Sequence, residues 1–71
     1  MKISDVIQFN ERHKWCGCLG VITEVKRIKD DIRFQVGIQI PMQGIAYIFV
    51  LESENAIEKV GEAKLMWKGD E

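Results

Sequence analysis

The chain has 71 residues, with 46% hydrophobic and 30% charged residues and a formal net charge of −1. That is the size and balance of one small soluble domain with a marginal core, and it excludes a strongly basic nucleic-acid protein, a multidomain enzyme and a low-complexity chain. The charge is uneven: residues 1–35 hold seven Lys/Arg against five Asp/Glu, and residues 36–71 hold three against six.

The start, from Met1 to Phe9, lacks the basic-then-apolar design of an export signal. The longest apolar run, from Ile45 to Leu51, falls far short of the roughly 20 residues that span a membrane. Cys16 and Cys18 stand one residue apart, too close for an unstrained bridge, which fits a reducing compartment. A cytoplasmic protein without membrane contact is therefore expected, as a single domain over residues 1–71.

Residues 5–10 read as a first strand with Ile7 and Phe9 pointing inward. A long loop follows over residues 10–18. Residues 19–28 are rich in β-branched side chains but alternate imperfectly, because Val21 and Val25 share one parity and Ile22 and Ile28 the other. A bulge or strong bend reconciles the two sets. Lys29, Asp30 and Asp31 form the next turn. From Ile32 to Ile40 the alternation is clean: Ile32, Phe34, Val36, Ile38 and Ile40 lie on one side and Arg33, Gln35, Gly37 and Gln39 on the other. This is a strand with one buried face, since side chains alternate across the pleat.

Pro41 and Gly44 bracket a turn, so residues 32–40 and 45–51 form a hairpin. In the second of these strands Ile45, Tyr47, Phe49 and Leu51 alternate with Ala46, Ile48 and Val50, and both faces are apolar. Such a strand is either central or presses its outer face on a partner, and self-association through residues 45–51 is one expectation. Ser53, Ala56, Ile57 and Val60 predict a short helix over residues 53–60, capped by Ser53 and stopped at Gly61. Glu52, Glu54, Glu58 and Glu62 would be its solvated face. Ala63, Leu65 and Trp67 then predict a last strand, and Tyr47 and Trp67 are assigned to the core.

The expected fold is all-β: five strands with one short helical turn before the last. That order resembles the Src-homology-3-like small barrel. Asp5, Ile7 and Phe9, followed by Gly17, Gly20, Ile22 and Val25, resemble the KOW motif of ribosomal and transcription-elongation proteins over about a third of the chain. The pattern departs from that motif at Ser4, where a glycine is usual, and in one extra residue before Gly17. Its overall character is similar to small proteins of phages and prophages.

Three functions compete for the loop over residues 10–18. Arg12, His13, Lys14 and Trp15 join cationic groups to an aromatic ring, which suits a protein segment or a phosphate with a stacked base. Trp15 equally suits a lid over the core. His13, Cys16 and Cys18 have zinc-compatible donors but lack a fourth ligand. A catalytic cysteine with His13 as base lacks an orienting group and an oxyanion hole, so no enzyme and no cofactor are expected. The leading expectation is a non-enzymatic binding module acting through protein–protein contacts. The alternatives are a KOW-like nucleic-acid binder using Lys26, Arg27, Lys29 and Arg33, and a metal-binding or small-ligand-sequestering oligomer.

Overall fold

The clean alternation of residues 32–40 becomes the middle of one antiparallel sheet. The computed structural model describes residues 1–63. Its strands are β1 (Asp5–Phe9), β2 (Leu19–Ile28), β3 (Asp31–Ile40), β4 (Gly44–Leu51) and β5 (Ile57–Glu62), with a single 3₁₀ turn (Glu52–Glu54) before the last. The sheet order is β4-β3-β2-β1-β5. The all-β class and the helical turn before the last strand are as expected. Among the described residues the sheet is not closed, with β4 and β5 at its edges.

The inner face carries the core. Ile7 and Phe9 of β1, Ile22 of β2, Phe34, Val36 and Ile38 of β3, Val50 of β4, and Ala56 and Ile57 are buried together. Register keeps these residues on one side, since Val36 faces Ile22 on one neighbour and Ile48 on the other. A slip of one residue would turn the whole set outward.

Two irregularities bend the sheet around this core. The β2–β3 ladder shifts between Ile22 and Glu24, leaving Thr23 as the extra residue. This bulge is what the mixed parity of residues 19–28 required, and it adds local twist. The β1–β5 ladder shifts in the same way between Val6 and Ile7, because Val6 faces Gly61 and Ile7 faces Lys59. The β3–β4 turn is closed by the Gln43 N–H donating to the Ile40 carbonyl at 3.0 Å. Gly44 has positive φ there, and so does Met42.

The helix over residues 53–60 does not form. Helix stops after Glu54, where Asn55 takes a left-handed conformation at φ 51. Residues 57–62 then pair with β1 as the last strand. The apolar spacing at Ala56, Ile57 and Val60 covers barely two turns, too short for a stable helix alone, and pairing with β1 satisfies the same backbone groups while burying Ile57. Glu58 and Glu62 accordingly sit on a strand. Ser53 is not a cap: its Oγ donates to Asp31 Oδ2, and its N–H donates to Asp31 Oδ1 at 3.3 Å. The strand expected around Ala63, Leu65 and Trp67 lies outside the described residues, apart from Ala63, whose N–H donates to the Ser4 carbonyl at 2.7 Å.

Candidate functional site

The β1–β2 loop is tied down at its base and wound into successive turns. Phe9 and Cys18 pair through the Phe9 N–H, and the Gly17 N–H returns to the Phe9 carbonyl at 2.8 Å. Gly17 has φ 93, a conformation that favours glycine. Asn10 braces the loop from below: its Oδ1 accepts from the Arg12 N–H, and its Nδ2 donates to the Asn55 carbonyl, both at 2.8 Å.

This winding divides the four residues read as one surface. His13 and Trp15 turn inward and are half-buried. The His13 ring stacks on Phe9 at 4.5 Å, and Trp15 meets Phe9 edge-on at 6.5 Å. The Trp15 N–H donates to His13 Nδ1 at 3.0 Å, which locks the pair. Arg12 and Lys14 point outward into solvent. Trp15 thus packs as the lid over the core, and two isolated cations remain outside.

Cys16 and Cys18 are free and exposed. Among the described residues, no group of three or more His, Cys, Asp or Glu side chains is close enough to hold a metal ion. His13, Cys16 and Cys18 are therefore not gathered into a ligand set.

The second basic group lies at the opposite end of β2. Lys26 faces Arg33, and Arg27 faces Ile32, beside the turn that holds Lys29. Arg33 is further engaged, with its guanidinium 4.2 Å from the Phe49 ring centroid. β2 runs from Leu19, at the β1–β2 loop, to Ile28, at this end. The two cationic groups do not merge into one patch.

The larger feature is the outer face of the sheet. Leu19 is 56% exposed, Ile45 60%, Tyr47 54% and Phe49 53%, although all are large and apolar. Tyr47 is thus not a core residue; its parity in β4 faces outward, while Ala46, Ile48 and Val50 face the core. Beside Leu19, Ile45 and Tyr47 runs a groove of about 350 Å³, walled by Val6, Leu19 and Val21 on one side and by Ile45 and Tyr47 on the other.

Gly37 forms the floor of that groove. It faces Val21 on β2 and Tyr47 on β4. A Cβ there would lie 3.4 Å from Thr23 Cγ2, 3.4 Å from Tyr47 Cε1 and 3.5 Å from Ile45 Cγ2. A side chain at this position would take up part of the space, so glycine at residue 37 keeps the groove deep. Sequence reasoning registered the two apolar faces of residues 45–51 and missed the groove. The signal was the lone glycine among the outward positions of β3.

A charged cluster anchors the sheet where β1 begins and β5 ends. Asp5 is 1% exposed and accepts from the Lys2 N–H at 2.9 Å and from Lys2 Nζ at 3.2 Å. Lys59 Nζ lies 3.5 Å from Asp5 and 2.9 Å from Glu62, which also meets Lys2 at 3.3 Å. The Lys2 backbone N–H first, with the Lys2 ammonium behind it, holds the Asp5 carboxyl below its usual range. The residue that resembled the acidic position of the KOW motif is here a buried fold anchor.

Among the described residues, no helix is long and apolar enough to cross a membrane. The chain matches no protein-family model, no curated protein and no solved structure.

Proposed function

We propose that the protein is a non-enzymatic binding module that acts through protein–protein contact, with the groove on the outer face of β1–β4 as its docking surface. The observation that carries this reading is the exposed apolar set of Leu19, Ile45 and Tyr47 around a groove with Gly37 at its floor, with Phe49 exposed farther along β4. A contiguous apolar patch of this kind in so small a domain is the mark of an interaction surface. Aromatic anchors beside a cleft are the features that carry binding energy at protein interfaces. The strand order, with its single helical turn before the last strand, resembles Src-homology-3-like small barrels. The exposed thiols of Cys16 and Cys18 fit a reducing, cytoplasmic setting.

Selection of a random peptide library on the immobilised protein tests the reading. The expected outcome is enrichment of peptides with closely spaced aromatic and aliphatic residues, abolished by Tyr47→Glu and unaffected by Lys14→Ala. Recovery of no consensus, or of a consensus that survives Tyr47→Glu, refutes it.

Self-association through residues 45–51 belongs to the same reading. Among the described residues β4 is an edge strand, and such an edge offers N–H and C=O groups to a second copy. Light scattering across a concentration series separates a dimer from a monomer.

The nucleic-acid alternative keeps one supporting observation, the Lys26–Arg33 pairing with Arg33 over Phe49. Binding by this end would weaken steeply with salt, because phosphate contacts release counterions. Absence of any RNA or DNA binding at low salt disposes of it.

A further inference from the structure

The two edges of the sheet are built differently. β5 carries Glu58, Lys59 and Glu62 within its six residues, and its ladder with β1 shifts register, leaving Val60 as the extra residue. Charges and a bulge are the devices that keep an edge strand from pairing with another chain. β4 has neither. It follows β3 through eight consecutive pairs without a shift, and no charged residue stands between Ile40 and Glu52. Among the described residues it is an edge, so every second N–H and C=O along it points away from β3. Its outward side chains Ile45, Tyr47 and Phe49 are each more than half exposed.

A second copy of the same strand fits this edge. Residues directly opposite in a sheet share a face, so a strand that pairs antiparallel with its own copy turns about an axis through a residue. An axis through Tyr47 sets Tyr47 against Tyr47 of the second copy and Ile45 against Phe49, with all of Gly44–Val50 in pairs. Aromatic and β-branched side chains are favourable cross-strand neighbours. Charge favours the same direction. Each Glu52 stands five positions from the axis, so the two are roughly 34 Å apart, far beyond the screening length of about 8 Å. Parallel pairing would bring the two acidic turns side by side.

We propose that two copies of the chain join β4 to β4, antiparallel about a two-fold axis through Tyr47, into one continuous sheet. This deepens the self-association reading and rests on residues 45–51 being a contact surface. The contact is one strand per copy, in the class of weak, reversible pairs that bury less than about 1,200 Å². The grooves stay open, because Gly37 at the floor lies one strand in from the joint. They stand three strand spacings apart, roughly 14 Å. The dimer thus presents two docking grooves side by side and gains avidity for a partner that carries two binding segments.

Light scattering on the full chain, from micromolar to millimolar concentration, tests the proposal together with amide exchange. The mass should rise from one copy to two and stop there, and every second amide of β4 should gain protection as it does. Phe49→Glu places a carboxylate beside Arg33 within the fold and against Ile45 of the second copy, and should weaken the dimer at least tenfold. Val60→Glu, on the other edge, should dimerise as the parent does. A parent that stays monomeric overturns the proposal, and so does growth past two copies or a dimer broken by Val60→Glu alone. Protection of those β4 amides that is independent of concentration identifies cover from within one chain and also overturns it. The docking groove is read separately: Phe49 does not line it, so selected peptides should bind Phe49→Glu and parent alike. A monomer that still binds them overturns the dimer and leaves the groove standing.

Discussion

Gly37 on β3 faces Tyr47 on β4, and a Cβ at Gly37 would stand 3.4 Å from the tyrosine ring. The outer groove owes its depth to this one missing side chain. Gly37→Ala meets only ordinary van der Waals contacts, so the fold is expected to gain roughly 0.5–1 kcal/mol from reduced unfolded-chain entropy while the groove becomes shallower. Gly20 behaves in the opposite sense. A Cβ there would lie 2.5 Å from Val36 Cγ1 and 3.2 Å from the Gly37 carbonyl oxygen, inside the core. Gly20→Ala is expected to cost about 1–3 kcal/mol, the range for overpacking. Urea unfolding of the two variants checks the contrast.

The β1–β2 loop gives a second contrast. Trp15→Ala removes a half-buried ring from Phe9 and His13 and is expected to cost roughly 1–2 kcal/mol. Arg12→Ala and Lys14→Ala, both solvent-facing, should leave stability within about 0.5 kcal/mol. Equal melting temperatures for Trp15→Ala and the parent would remove the lid assignment.

Stability should fall at both ends of the pH scale. Hydrogen bonds from the Lys2 backbone to Asp5, from the Ser53 hydroxyl to Asp31 and from the Lys59 ammonium to Glu62 hold these carboxyls below their usual values. The folded state then binds protons less readily than the unfolded chain. The stabilisation is complete above the ordinary carboxylate values of 3.8 to 4.5 and is lost as pH drops through the lowered folded values. Lys2, bonded first to Asp5, and Lys59, bonded first to Glu62, are raised above 10.5, so their contribution holds below that pH and fades above it. Melting temperature against pH should be flat near neutrality, and Asp31→Asn should flatten the acid limb.

Legibility tracked how local each signal was. The alternation of residues 32–40 and the mixed parity of residues 19–28 announced β3 and the bulge at Thr23, because a strand writes its buried face into consecutive residues. Residues 53–60 misled because Ala56, Ile57 and Val60 fit a 3.6-residue period by chance over a short span. What decides their state is β1, some fifty residues away. A similar distance hid the pairing of Asp5 with Lys59, although Lys2, its other partner, stands only three residues away. In the loop, residue types pointed to a site, yet His13 and Trp15 pack on Phe9. The groove was invisible for a related reason: Leu19, Gly37 and Tyr47 become neighbours only once three strands are in register.

On the proposed reading, the outer face of β1–β4, and not the loop at residues 12–15, meets a protein partner. Photo-crosslinking in the native cell measures this directly, with a benzophenone side chain placed at position 47, at position 14 or at position 26. A discrete crosslinked protein is expected from position 47, lost when Ile45→Glu is added, and none from position 14. Crosslinks from position 14 or to nucleic acid from position 26, with position 47 silent, would contradict it.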